Sequence, residues 1–135
     1  LPLGFRARTT LAWTYGRGPN PVDASLGWVP LSRVPPLNGT VELDWSRAGF
    51  SLGGALRWAG LQNRLALSDF SDARIPAGGT PGYAVADLRA SYRWGRRLAL
   101  SAVLENLLDA PYRAHGSSVN GPGRSVVVSI ETAPW

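Results

Sequence analysis

Apolar and polar residues alternate with a period of two along six stretches of this chain. That is the pattern of strands with one face in apolar surroundings and the other against polar groups. In residues 3–16, Phe5, Ala7, Thr9, Leu11, Trp13 and Tyr15 share one face, and Arg6, Arg8, Thr10, Ala12 and Thr14 share the other. Residues 40–46 set Val41, Leu43 and Trp45 against Thr40, Glu42, Asp44 and Ser46. Residues 50–67 read as a longer strand with Phe50, Leu52, Gly54, Leu56 and Trp58 on its apolar face. Its parity slips near Ala59 and Gly60, because Leu61, Leu65 and Leu67 are odd-numbered. Either a bulge or departure from the apolar surroundings would produce that slip. Residues 83–94 alternate most regularly, with Ala84, Ala86, Leu88, Ala90, Tyr92 and Trp94 opposed to Val85, Asp87, Arg89, Ser91 and Arg93. The fifth strand covers residues 98–112, with unclear parity past Glu105. The sixth sets Val126, Val128 and Ile130 against Ser125, Val127, Ser129 and Glu131. No stretch has a helical period.

The connections alternate in kind. Residues 16–36, 68–82 and 114–123 are long, Gly- and Pro-rich loops, whereas Ser46-Arg47-Ala48-Gly49 and Gly95-Arg96-Arg97 are short turns. An all-β, antiparallel up-and-down arrangement follows, with long loops at one end and short turns at the other.

Alternation alone does not say which face is inside, since a sandwich or a lipocalin-type barrel alternates too. Two features favour a membrane barrel with its apolar face outward. Charges of both signs sit mid-strand on the polar face: Arg6, Arg8, Glu42, Asp44, Arg57, Asp87 and Arg89. Aromatics sit at the strand ends of the apolar face, with Phe5, Trp45, Phe50, Tyr92 and Trp94 toward the short turns and Trp13, Tyr15 and Trp58 toward the long loops. Small aliphatic residues lie between them. Two aromatic bands around an aliphatic zone suit a bilayer, because amphipathic rings prefer the headgroup level. At about 3.3 Å per residue and a tilt near 45°, the run from Phe5 to Tyr15 spans roughly 25 Å, the height of an outer-membrane apolar band. Six strands fall short of the roughly eight that close a single-chain membrane barrel. With no Met in the sequence, the expectation is a C-terminal segment of a larger barrel.

Composition narrows the chemistry. Without cysteine there is no disulfide framework or thiolate metal site. The net charge of +5 comes from arginines spread along the chain, with no Lys at all and no basic run that would suit nucleic acid. No apolar run approaches the roughly 18 residues of a membrane helix. Asp69 and Asp72 lack the ligand count of a calcium loop. Asp109, His115 and Ser117 share one loop without a strained nucleophile turn, so hydrolysis is rejected. His115, the single histidine, reads as a loop residue packed on Tyr112 in preference to a metal or haem ligand.

The last stretch resembles the C-terminal end of TonB-dependent outer-membrane receptors. There the penultimate strand carries N-L-x-D-x-x-Y-R and the last opens with G-P-G-R; here those residues are Asn106, Leu107, Asp109, Tyr112, Arg113 and Gly121-Pro122-Gly123-Arg124. Pro30 to Pro36 resembles the family's proline-rich approach to a downward strand. Gln62, Arg64 and Leu65, then Asp69, Asp72, Arg74, Ile75 and Pro76, then Gly79-Thr80-Pro81-Gly82-Tyr83 resemble the strand, loop and strand start that follow. The resemblance implies the last six strands of a 22-stranded barrel, with long loops outside the cell and short turns in the periplasm. It implies a bacterial outer-membrane receptor for energy-coupled uptake of a scarce nutrient, such as an iron chelate or cobalamin, and no enzyme. The implied partners are outer-membrane lipid, the rest of the barrel with its plug, the inner-membrane energy-transducing complex and a small nutrient ligand. No resident cofactor or metal is expected. Loop residues Arg33, Asp69, Asp72, Arg74, Arg113 and His115 are the candidate ligand contacts, although such residues also serve turns and solubility. A passive or structural barrel and a soluble lipid-binding β-barrel are the alternatives. One departure from the family is Trp135, whose parity differs from that of Val126, Val128 and Ile130, so a bulge or a short tail is expected there.

Overall fold

A strand satisfies its backbone by pairing, and the register of those pairs decides whether its two faces continue across a sheet. The structure is a computed structural model that describes residues 4–132. Among the described residues the strands are β1 (Phe5–Ala12), β2 (Arg17–Pro19), β3 (Trp28–Pro30), β4 (Asn38–Arg47), β5 (Phe50–Ala59), β6 (Tyr83–Trp94), β7 (Leu98–Glu105) and β8 (Ser125–Thr132). One antiparallel sheet holds β1, β4, β5, β6, β7 and β8 in that order, and β2 and β3 make a separate hairpin. Its register keeps the two faces apart. Ala7, Leu43, Gly54, Leu88, Leu104 and Val126 form one continuous row, and Arg6, Asp44, Gly53, Arg89, Val103 and Val127 form the next.

The sheet is open, with β1 and β8 at its edges. On its polar side it hollows into a trough of about 580 Å³ bordered by Arg6, Asp44, Gly53, Arg89 and Ser101, so the polar face is the concave one. The apolar face covers nothing within the chain. Leu11 and Ile130 are each 69% exposed, and the buried apolar residues among those described are Ala59, Ala66, Ile75 and Val85. A soluble sandwich would enclose its large side chains between sheets. Here they point away from the concave side, as a barrel wall in lipid requires.

Three strand ends differ from expectation. β1 stops at Ala12, opposite Asn38 where β4 begins, so Trp13 and Tyr15 lie beyond the paired region. The chain then folds back on itself in the β2–β3 hairpin inside what reads as plain loop. β5 stops at Ala59; of the two explanations for the parity slip, departure from the paired sheet is the one observed. Gln62 makes an isolated bridge with Thr80, and residues 67–71 turn into a single 3-10 helix. β7 stops at Glu105 because Asn106 takes a φ of +48°, a left-handed conformation that no strand continues. The short turn between β4 and β5 has Ala48 and Gly49 at φ +49° and +83°, the mirror-image geometry that matches strand twist. Trp135 lies outside the described residues.

Candidate functional site

The loops gather at one end of the sheet and are tied together by polar side chains. Asn106 carries the third loop. Its side-chain amide donates to the carbonyls of Ala110 (2.9 Å) and Pro122 (3.1 Å) and accepts from the Ala110 N–H, while its own N–H donates to Asp87 Oδ1 at 2.9 Å. It is 1% exposed, so these bonds satisfy a side chain that water does not reach. Asp109, also left-handed at φ +53°, accepts the Arg124 N–H at 2.7 Å and so joins the exit of β7 to the start of β8. Tyr112 packs against Tyr83 at 5.0 Å, and a side chain at Gly121 would collide with its ring. The N-L-x-D-x-x-Y-R stretch is therefore a structural knot.

The first two loops are clamped by the aspartates proposed from sequence as ligand contacts. Asp69 is 1% exposed; it accepts the Ser32 hydroxyl across the loops and the Ala66 N–H at 2.9 Å. Asp72 takes Arg74 through two side-chain bonds of 2.8 and 2.6 Å and Arg33 through one of 3.3 Å. Gln62 adds a bond from its side-chain amide to the Val34 carbonyl at 2.6 Å. These carboxylates are engaged inside the loops. Arg33 and Arg74 come together on Asp72 but keep exposed flanks. Arg113 bonds Asn120 at 2.7 Å within its own loop. His115 Nδ1 meets the Thr80 hydroxyl at 2.9 Å, a partner the sequence did not suggest, since Tyr112 packs on Tyr83. That contact links the third loop to the second. In the first loop, the Ser25 hydroxyl and N–H bond Asp23 and hold its carboxyl below the usual carboxylate range.

Beneath the loops the polar face is a charge ladder. Glu42 lies 3.6 Å from Arg8 and 3.9 Å from Arg89, and Arg89 also reaches Asp44 at 2.6 Å. Arg89 crosses above β5 to make that bond, which Gly53 permits: a Cβ there would strike both Asp44 and Arg89. Arg57 pairs with Asp87 at 3.1 Å. Near the loop end a recess of about 270 Å³ is lined by Thr40, Arg57, Tyr83 and His115 among others. Among the described residues no group of three or more His, Cys, Asp or Glu is placed to hold a metal ion.

The aromatic residues follow the faces. Phe5, Trp45, Phe50, Trp58, Tyr92 and Trp94 share the apolar face by register. At the short-turn end they touch: Phe5–Trp45 at 6.4 Å, Trp45–Phe50 at 5.8 Å and Tyr92–Trp94 at 4.3 Å. Trp13 and Tyr15 pair at 6.0 Å past the end of β1.

The sequence model of the TonB dependent receptor-like β-barrel family matches residues 3–107. The chain belongs to this family. No curated protein matches it by sequence. Among solved structures it is similar to the copper transporter OprC, with 24% identity and a TM-score of 0.78 over 96% of this chain and 21% of that one. It is also similar to the ferric-catecholate import receptor Fiu from E. coli K12, with 19% identity and a TM-score of 0.67 over 96% of this chain and 19% of that one. The chain thus spans about a fifth of the length of the structures it matches. As part of a TonB-dependent receptor barrel, it resides in the outer membrane of Gram-negative bacteria. The concave, charge-paired face is the lumen side of this receptor barrel, and the convex aliphatic face with its aromatic ends is the outer one.

Proposed function

We propose that this chain is the C-terminal part of a receptor for energy-coupled uptake of a scarce nutrient, with a plug and the earlier strands supplied by the rest of the protein. The observation that carries this reading is the family match over a wall whose concave face pairs its own charges. The long loops face outside the cell and the short turns face the periplasm. The ligand is an anionic metal chelate such as an iron chelate; cobalamin is the other nutrient class this family suggests. Support comes from the loop-end recess, where Arg57, Tyr83 and His115 offer a cation and aromatic rings without a soft metal-ligand set. Arg33, Arg74, Arg113 and His115 are the loop contacts; Asp72 holds Arg33 and Arg74 in place, and Asp69 ties their loops together through Ser32. The two named relatives, a copper transporter and a ferric-catecholate import receptor, agree on metal uptake and differ in cargo.

The test is uptake of labelled ferric chelate, cobalamin and copper by cells expressing the full-length protein, with and without a protonophore. Saturable uptake of one of them, abolished by the protonophore, is the expected result. Flux that ignores the protonophore, with open conductance of the purified protein in planar bilayers, would instead establish a passive channel.

A further inference from the structure

The charge ladder on the concave face stops unfinished at one edge of the sheet. Its bonds run sideways along the wall: Arg8 on β1 to Glu42 on β4, Arg57 on β5 to Asp87 on β6, and Arg89 on β6 over β5 to Asp44 and Glu42 on β4. Arg6 belongs to the same face. It stands directly opposite Asp44, in the row that continues through Gly53 and Arg89. Yet Asp44 accepts Arg89 on Oδ1 through two bonds, of 2.6 and 3.1 Å. Among the described residues the Arg6 side chain makes no hydrogen bond and no ion pair. It is exposed beside the trough, on β1, which is an open edge of the sheet.

An edge strand has a row of backbone donors and acceptors still to pair, and in a closed wall a further strand supplies it. This chain spans about a fifth of the structures it matches, so most of such a wall lies in the rest of the protein. A strand on the free side of β1 brings its luminal side chains to about 4.5–5.5 Å from those of β1, where opposite charges stabilise a sheet and like charges oppose it. With Asp44 turned to Arg89, the side away from β4 is where the Arg6 guanidinium is matched. A strand is favoured over the plug as its neighbour because the ion pairs on this face are made along the wall, between adjacent strands or across one. We propose that the strand pairing with the free edge of β1 carries an Asp or Glu on its luminal face, within one rung of Arg6, and that their ion pair carries the ladder across the edge. The proposal rests on the reading that the rest of the protein supplies the earlier strands, and not on the identity of the nutrient.

The experiment starts from the full-length sequence, in which the strand that pairs with β1 is expected to hold an acid in register with Arg6 or one rung to either side. The full-length receptor, refolded into vesicles, is then unfolded in urea. Arg6→Gln, and replacement of that acid by its amide, are each expected to lower the folding equilibrium constant by up to about five-fold, about 1 kcal/mol for a cross-strand pair at about 1.4 kcal/mol per decade. The double variant is expected to lose no more than either single one, and Arg6→Lys to retain most of the stability. Proximity is read separately: Arg6→Cys, with a second cysteine in place of the acid and no others in the protein, is expected to form a disulfide on oxidation, found by mass spectrometry of the linked peptides. A strand without an acid at those positions, additive losses, or coupling of Arg6 to Asp44 or to a plug carboxylate in the same kind of cycle would each overturn the proposal. Absence of any alternating strand to pair with β1 would sink the receptor reading as well, whereas a strand without the acid sinks the ion pair alone.

Discussion

At the long-loop end most of the arginine side chains are already engaged, Arg124 excepted. Arg17 donates to the Trp28 carbonyl at 2.6 Å, Arg33 and Arg74 share Asp72, Arg113 holds Asn120, and Arg64 lies 4.1 Å from the Tyr15 ring centroid. At the short-turn end Arg47, Arg93 and Arg96 have no such ion pairs among the described residues. The difference follows from what each end must satisfy. A loop of some twenty residues carries many backbone carbonyls and carboxylates away from any ladder, and a guanidinium with five donors is the side chain that ties several at once. A turn of two or three residues has almost no unmet acceptors, so an arginine there is left facing outward. The same residue type therefore builds structure at one end and presents charge at the other.

The sharpest way to break the loop end is Asn106→Ala. It strands the Ala110 N–H and two carbonyls in a part-buried site and puts an alanine at φ +48°. A loss of about 3 kcal/mol is expected, read as a lower urea midpoint of the full-length receptor refolded into vesicles. A midpoint within error of wild type would mean that the third loop holds itself without this knot.

Gly53→Val comes next, because it acts between the two ends. The new side chain would push Arg89 off Asp44 and cost about 2 kcal/mol by overpacking. Truncating the arginine in the same protein, as G53V with Arg89→Ala, should recover most of the overpacking cost. Additive losses in that double-mutant cycle would show that the ladder does not pass over Gly53.

How much of this was legible beforehand depends on what sets each feature. Strand faces were readable because a period of two is imposed by backbone geometry: Ala7, Leu43, Leu88 and Val126 fall on one row as alternation requires. Strand ends were not, because they are set by where a partner runs out. Nothing local to Leu11-Ala12-Trp13 announces that β4 begins opposite Ala12. The loop aspartates were noticed as polar residues in loops, but composition cannot say whether such a carboxylate faces a ligand or a neighbouring loop. Asp69 turned out to face Ser32, thirty-seven residues away. Asn106 was visible as a motif letter; its four hydrogen bonds depend on Asp87, Ala110 and Pro122 arriving together, which only the fold brings about.

The comparison between the ends can be sharpened with a matched pair of charge removals. Asp72→Asn takes away the carboxylate that two arginines share, and its side chain is only 14% exposed. A loss of about 1 kcal/mol is expected, since both arginine partners are partly in water, together with faster amide hydrogen exchange in residues 67–75. Arg47→Gln with Arg96→Gln removes two charges from the other end, at side chains that make no ion pair among the described residues. That double variant should keep its urea midpoint within about 0.5 kcal/mol of wild type, as surface substitutions away from structural contacts do. If the two removals cost the same, the arginines at the turns are structural after all, and the contrast between a knotted loop end and an outward-facing turn end disappears.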